Sequence, residues 1–277
     1  MTPTFAGLAV QAPLIMGIVN VTPDSFSDGG DTTDRVGAIA HGRLLAGQGA
    51  DIIDIGGESS RPGAASVSID EELSRVIPVI EALAGDGVIV SIDSRNSTVM
   101  DQAVRAGAQI INDVTALQGE GSLDVATASG ASVILMHMQG TPGTMQDNPH
   151  YEDAPSDVRN YLAGRIKACE RAGMERHRIA VDPGIGFGKN LDHNLQILNR
   201  LADFAALDCP LVLGVSRKSF IARLSAADDP KQRLGGSLAA ALAGISRRAA
   251  ILRVHDVYET RQALDVWRAI EIGSKGY

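Results

Sequence analysis

Eight short apolar runs in this 277-residue chain each lead into polar side chains, and the types found there are the ones chemistry could use. Asn20 closes the first run, Asp93 the third, Asn112-Asp113 the fourth, His137 the fifth and Asp182 the sixth. The second run leads into Gly56-Gly57-Glu58-Ser59-Ser60-Arg61 and the seventh into Ser216-Arg217-Lys218-Ser219, while the eighth ends with Arg253 and His255. Asp93, Asn112 and Asp182 supply acceptors and an amide. That set suits a neutral, planar, donor-rich ring, whose N–H groups need buried acceptors. Arg253 and His255 stand two apart on one strand, so they face the same side. With Arg61, Lys218 and the helix N-terminus after Ser216 they make a cationic region suited to phosphate or carboxylate. A ring pocket beside an anion site suggests a heterocycle bearing a phosphate ester. Any one of these residues could cap a helix or satisfy the core, but eight at one end of one fold point to a ligand site.

The elements that must position them follow from periodicity. The apolar runs span 14–20, 51–55, 88–93, 109–114, 132–137, 178–182, 211–215 and 250–255. They are mostly continuous rather than alternating, as in parallel strands buried on both faces. Between them lie helical segments at 35–46, 70–84, 97–106, 122–128, 156–172, 191–204 and 218–248, with a last one at 257–270. Ser68-x-x-Glu71 reads as a capping box for the second, and Gly107, Gly130 and Gly173 read as helix stops. Eight β-α units in a chain of this size predict an α/β fold, a (β/α)₈ TIM barrel forming a single domain over 1–277. A doubly wound open sheet is the alternative, and no GxGxxG turn follows the first strand to support it. In the barrel, active sites form at the C-terminal ends of the strands. Two βα loops, 21–30 and 56–63, are long for this fold and carry charged and aromatic residues, which suits lids that exclude water.

Composition bounds the partners. Apolar residues make up 44% and charged residues 21%, as in an ordinary globular protein. A net charge of −8 argues against nucleic acid as the main partner. Cys169 and Cys209 are isolated, without metal-ligand spacing, and are expected to be reduced thiols. The N-terminus lacks a basic segment followed by a long apolar one, and no apolar run approaches a membrane span, so no membrane association and a cytoplasmic location are expected.

Six segments make the sequence recognisable: GIVNVTPDSFSDGG at 17–30, DIIDIGGESSRPGA at 51–64, LMHMQGTPGTMQ at 135–146, DPGIGFGK at 182–189, VSRKSFI at 215–221 and RVHDV at 253–257. Together they closely resemble the dihydropteroate synthases, over about residues 14–270. The resemblance implies a transferase of folate biosynthesis and a target of sulfonamides. It would condense 6-hydroxymethyl-7,8-dihydropterin pyrophosphate with p-aminobenzoate, assisted by Mg²⁺, and the family is commonly a homodimer. Transferred motif by motif, it implies that Asp93, Asn112 and Asp182 hold the pterin, with Lys218 on another ring edge and Met136, Phe187 and Gly214 as walls. Arg253 would stack on the ring and meet the pyrophosphate beside His255, with Ser60 and Arg61 closing over it and Asn20 binding Mg²⁺ or pyrophosphate. Phe26, Ser60, Pro62, Arg217 and Ser219 would line the p-aminobenzoate site, and Asp24 and Asp28 would organise the first loop. Asp93, Lys218, Arg253, His255 and Arg61 are the candidate catalytic residues. Serine stands at 60 where the family often has threonine, a change that keeps the hydroxyl and removes a methyl group.

Two other readings share the barrel. A methyltetrahydrofolate-dependent methyltransferase resembles the chain in its Asp/Asn/Asp set, but needs neither the Arg253-x-His255 pair nor the two loops. A catalytically silent pterin-binding paralogue should have lost some of these residues, and the only departure is the Ser60 change. His137 reads more readily as structural than catalytic, and Met136 as a pocket wall or as core.

Overall fold

The computed structural model describes residues 4–22, 31–59, 67–141 and 143–273. Eight parallel strands form its centre: β1 (Leu14–Asn20), β2 (Ile52–Gly56), β3 (Val90–Asp93), β4 (Ile110–Asp113), β5 (Ser132–Met136), β6 (Ile179–Asp182), β7 (Val212–Leu213) and β8 (Ile251–Val254). Their hydrogen-bonded order is 6-5-4-3-2-1-8-7. A parallel bridge between Val181 and Leu211 joins the two edges, so the sheet closes into the expected barrel. Nearly every strand residue is buried, because helices cover the outside and side chains fill the inside.

Alternation along the strands separates two cores. Ile15, Val19, Ile53, Ile55, Val90, Ile92, Ile111, Val133 and Val181 face outward into the large cluster shared with the helices. Leu14, Met16, Ile52, Ile110, Ile134, Ala180, Val212 and Ile251 face inward and meet Phe5. Phe5 comes from an antiparallel hairpin, Thr4–Phe5 with Leu8–Ala9, turned through Ala6 and Gly7 at φ 49 and 78. The hairpin plugs the N-terminal end of the barrel with a ring that is 0% exposed, a contribution of about 2–3 kcal/mol. The apolar filling thus ends below the C-terminal end, where the inward side chains become polar.

The helices are α1 (Asp31–Gly47), α2 (Ile69–Gly85), α3 (Ser97–Arg105), α4 (Ser122–Ser129), α5 (Ala154–Arg171), α6 (Leu191–Asn199), α7 (Ser219–Ser225), α8 (Leu234–Ile245) and α9 (Val257–Ile272). Ser68 caps α2 by accepting from the Glu71 amide at 3.2 Å, but Glu71 turns its carboxylate to Arg75 rather than completing the box. Two predicted helices are each divided. The segment 218–248 breaks after α7, where Ala226 adopts φ 52, and resumes through a 3₁₀ turn, Pro230–Arg233. Proline fits a first helical turn and has no amide to continue the previous one. The segment 191–204 ends as α-helix at Asn199 and continues as 3₁₀ from Leu201 to Leu207. Among the described residues no helix is long and apolar enough to cross a membrane.

Candidate active site

The alternation that packs the inner core also aims the polar residues. Two positions beyond each inner-core residue comes another inward one: Asp54 after Ile52, Asn112 after Ile110, Met136 after Ile134, Asp182 after Ala180, Gly214 after Val212, Arg253 after Ile251. Asn20 on β1 and Asp93 on β3 complete the set. All lie at the C-terminal end of the barrel.

Arg253 holds this set together. Its Nη2 donates to Asp93 Oδ2 at 2.6 Å and its Nε to Asp54 Oδ2 at 2.6 Å. Asn112 Nδ2 donates to the same Asp54 oxygen at 3.1 Å. Asp54 is 0% exposed, and its Oδ1 has no hydrogen-bond partner among the described residues. Burial raises the Asp93 carboxyl to about 7, with the negative charges of Asp54, Asp113 and Glu72 adding to the rise and Arg253 opposing it. Burial disfavours the Arg253 charge, yet Asp54 and Asp93 outweigh it and hold the guanidinium above its ordinary value. The mouth is therefore less cationic than the strand ends suggested: Asp54, Asp93 and Asp182 stand against Arg253 and Lys218.

Asp182 and Lys218 form the opposite wall. Burial raises the Asp182 carboxyl, while the Gly184 amide, donating to Oδ1 at 2.7 Å, and the charges of Lys218 and Arg253 work against that. Lys218 Nζ lies 4.0 Å from the Phe187 ring centroid, an attraction between cation and ring face. Burial lowers its pKa to about 8 against the pull of Asp182. A Cβ built on Gly214 would stand 3.8 Å from Asp182 Oδ2 and 4.0 Å from the Arg253 Cβ, so glycine keeps the space between them open. Met136 is 4% exposed beside this wall.

The loop that carries Phe187 is clasped from beneath by Lys189. This amine, 2% exposed, donates to the carbonyls of Gly184 (2.9 Å) and Phe187 (2.8 Å) and lies 2.9 Å from His137 Nδ1. Burial lowers Lys189 to about 7. Burial, then the Lys189 charge, lowers His137 to about 3, so its ring is neutral and accepts from the lysine. His137 also packs edge-on against Tyr161 with centroids 4.8 Å apart. Gly184 and Gly188 take φ 67 and 59, and a Cβ there would stand 2.0 Å and 2.5 Å from the carbonyl oxygens of His137 and Gln139. Only glycine lets this loop lie so close to the end of β5.

The remaining candidates sit around the rim. Ser216 Oγ accepts from the His255 amide at 3.2 Å and lies 3.0 Å from His255 Nδ1. Arg217, at φ 58, pairs with Asp256 through Nε at 3.0 Å, and its amide donates to Ser237 Oγ. That pairing turns the guanidinium toward the start of α9. Ser219 is exposed at the first position of α7, for which Lys218 is the N-cap. Asn20 ends β1 half-buried, beside Gly56 and Asp93: a Cβ on Gly56 would stand 3.8 Å from both Asn20 Oδ1 and Asp93 Oδ2. Asn20 offers one neutral, hard oxygen. Among the described residues no group of three or more His, Cys, Asp or Glu could hold a metal. Mg²⁺ tolerates such sparse protein ligation when phosphate oxygens and waters supply the rest, so Asn20 fits that ion in company with a diphosphate. Asp24, Phe26, Asp28, Ser60, Arg61 and Pro62 lie outside the described residues.

A closed parallel barrel with inward carboxylates, an amide and two cations at its strand ends defines a class: barrel enzymes that seat a hydrogen-bonding ring with an anionic tail. The family model described as "Pterin binding enzyme" matches residues 16–255. The dihydropteroate synthase of Escherichia coli (strain K12) is 48% identical, the match covering 95% of this chain and 93% of that one. The Xanthomonas albilineans dihydropteroate synthase solved with 4-aminobenzoic acid superimposes with a TM-score of 0.93 at 47% identity, over 99% of this chain and 100% of that one. A second structure of that enzyme, with 7,8-dihydropteroate, gives 0.89 at 45% identity over 96% of each chain. The chain belongs to the pterin-binding enzymes and, within them, to the dihydropteroate synthases.

Proposed function

We propose that this chain condenses 6-hydroxymethyl-7,8-dihydropterin pyrophosphate with p-aminobenzoate, giving 7,8-dihydropteroate and pyrophosphate. The observation that carries the reading is Arg253, which joins the acceptor set for a ring to the cation for its tail. The X. albilineans relatives bind 4-aminobenzoic acid and 7,8-dihydropteroate on the same fold at 45–47% identity. A methyltransferase or silent paralogue receives no comparable support.

The mechanism favoured is dissociative. The C–O bond from the methylene to the diphosphate breaks first, and the dihydropterin ring spreads the positive charge left on carbon. The neutral arylamine then attacks that carbon, forms the C–N bond and afterwards loses its proton, so no strong base is needed. Asp93 stabilises the cation, and Arg253, His255 and Arg61 offset charge building on the leaving group. When the diphosphate draws Arg253 Nη2 away, Asp93 loses its compensating partner just as the methylene becomes positive. Asn20 would hold Mg²⁺, which would supply neutralisation of the charge on the leaving diphosphate. Asn112, Asp182 and Lys218 orient the ring against Met136, Phe187 and Gly214. Ser219 and Arg217, with Phe26, Ser60 and Pro62, would receive p-aminobenzoate. Arg217 would first exchange its Asp256 partner for the substrate carboxylate.

The chain is also proposed to act as a cytoplasmic homodimer. Tyr258, Val266 and Ile270, spaced eight and four residues apart along α9, are 57%, 56% and 72% exposed and so share one face of that helix. Sedimentation at micromolar concentration checks this, and a monomer would remove it. The catalytic proposal is tested by incubating the purified chain with both substrates and Mg²⁺ and seeking 7,8-dihydropteroate by mass spectrometry. Its appearance at a rate proportional to enzyme supports the reading, and its absence in the presence of measurable pterin binding would overturn it.

A further inference from the structure

Asp54 has no place in the scheme above, yet it is the most buried charge in the mouth. It is 0% exposed and lies beneath the three groups assigned to ring and tail. One of its oxygens, Oδ2, accepts from Arg253 Nε at 2.6 Å and from Asn112 Nδ2 at 3.1 Å. A carboxylate only accepts, so the Asn112 amide can present only its NH₂ to Asp54. Asn112 Oδ1 is thereby left for a ligand, and the pocket is fixed as an acceptor surface at this point.

The same carboxylate decides how Arg253 can move. The guanidinium straddles two acids, and its bonds among the described residues use two of its five N–H groups. The two acids are not equivalent. Asp93 ends its strand and is 15% exposed in its side chain, against 0% for Asp54. A ligand anion arriving at the mouth can compete for Nη2 against Asp93. It cannot reach Nε, which points down to Asp54.

We propose that Asp54 is a positioning residue that sets the polarity of the ring pocket through Asn112 and anchors Arg253 while its outer edge exchanges Asp93 for the substrate's diphosphate. This rests on the pterin reading above and names which side chain gives that site its selectivity for a donor-rich ring. Asp54 acts by what it accepts, and its charge alone would have the opposite effect on the tail. Removing a carboxylate near an anion site should tighten anion binding by relieving repulsion, whereas removing an anchor should loosen it.

The test uses the full-length protein and two probes, 6-hydroxymethylpterin for the ring and inorganic pyrophosphate for the tail, titrated by calorimetry into wild type, Asp54→Ala and Asp54→Asn. Both variants remove the charge, and only asparagine keeps an oxygen where Oδ2 stands. The expected result is that Asp54→Ala weakens both probes by roughly tenfold or more, as loss of hydrogen bonds to a charged group implies. Asp54→Asn should recover most of that loss. Equal binding by the two variants, or tighter pyrophosphate in Asp54→Ala, would overturn the proposal. A structure of the wild-type protein with pterin and pyrophosphate gives an independent answer if Asp54→Ala does not fold. Arg253 Nε should stay on Asp54 with Nη2 on the anion, and a guanidinium that has left Asp54 would refute the anchor. Wild type that binds neither probe would instead refute the pterin reading itself, so the two failures are distinguishable.

Discussion

Asp93→Asn separates binding from chemistry. The side chains are nearly the same size, and the amide oxygen can still accept from Arg253, so ring binding should change little. What disappears is the negative charge. A carboxylate about 4 Å from the developing cation, at an effective dielectric of about 20, contributes about 4 kcal/mol, or roughly three decades in rate. The structure sets that as the upper end, because Arg253 stands 2.6 Å from Asp93 in the free site and must turn to the diphosphate before the full charge is available. Rapid quench with enzyme in excess gives the rate of pyrophosphate release, and calorimetry gives the affinity for 6-hydroxymethylpterin. A fall of two to three decades in the first, with less than about tenfold change in the second, is the expected outcome. Equal losses in both would refute the cation role. The pH dependence adds a control. Asp93 must be ionised to act and burial raises it to about 7, so activity should fall as pH drops below that value, and the variant should lack that limb. For stability the sign is opposite. A carboxyl whose folded pKa lies above its unfolded one adds stability below the unfolded value and loses it as pH rises through about 7. Asp93→Asn should therefore gain stability relative to wild type as pH rises from 5 toward 8.

Arg61→Ala should slow single-turnover release of pyrophosphate by at least about tenfold, because it removes a cation from the leaving group; an unchanged single-turnover rate would take the second loop out of the mechanism. Lys189→Met should destabilise the fold by about 2–4 kcal/mol in urea melts, because three carbonyls and His137 lose their buried donor. The folded pKa of Lys189, about 7, lies below its ordinary value, so the unfolded chain binds more protons above that pH and the native state gains stability as pH rises. The loss in Lys189→Met should accordingly be larger at pH 9 than at pH 7, and a pH-independent loss would mean that the amine is not depressed. Gly184→Ala should cost at least about 2 kcal/mol, because its Cβ would overlap the His137 carbonyl at a positive φ; a neutral result in thermal melts would contradict the close approach.

Much of the architecture was readable because barrel strands are short, apolar and buried on both faces, and each ends in a change of side-chain type. The same rule hid Asp54. It lies inside the run 51–55 rather than at its end, where a change of side-chain type marks a candidate. Alternation places it, since Asp54 stands two residues after Ile52 on the strand and therefore shares the inward face of that residue. Asp113 shows the converse. It stands beside Asn112 in sequence, but it faces outward and caps its own loop through Thr115 and Leu117. The role of Lys189 is not legible in its motif, because a buried lysine bonded mainly to carbonyls leaves no periodic trace. The Thr4–Ala9 hairpin is too short for pattern recognition, whereas the break after Ala226 has a local signal in Asp229-Pro230, which caps and opens the next turn. The motif of Arg217 points to substrate, and its partner Asp256, 39 residues away, is visible only in three dimensions.

The most direct measurement follows pyrophosphate and 7,8-dihydropteroate together, from the pterin pyrophosphate with Mg²⁺, with and without p-aminobenzoate. One pyrophosphate per dihydropteroate in the presence of the amine is the predicted result. Steady release of pyrophosphate with no C–N bonded product, or no release from a pterin that demonstrably binds, would contradict the account.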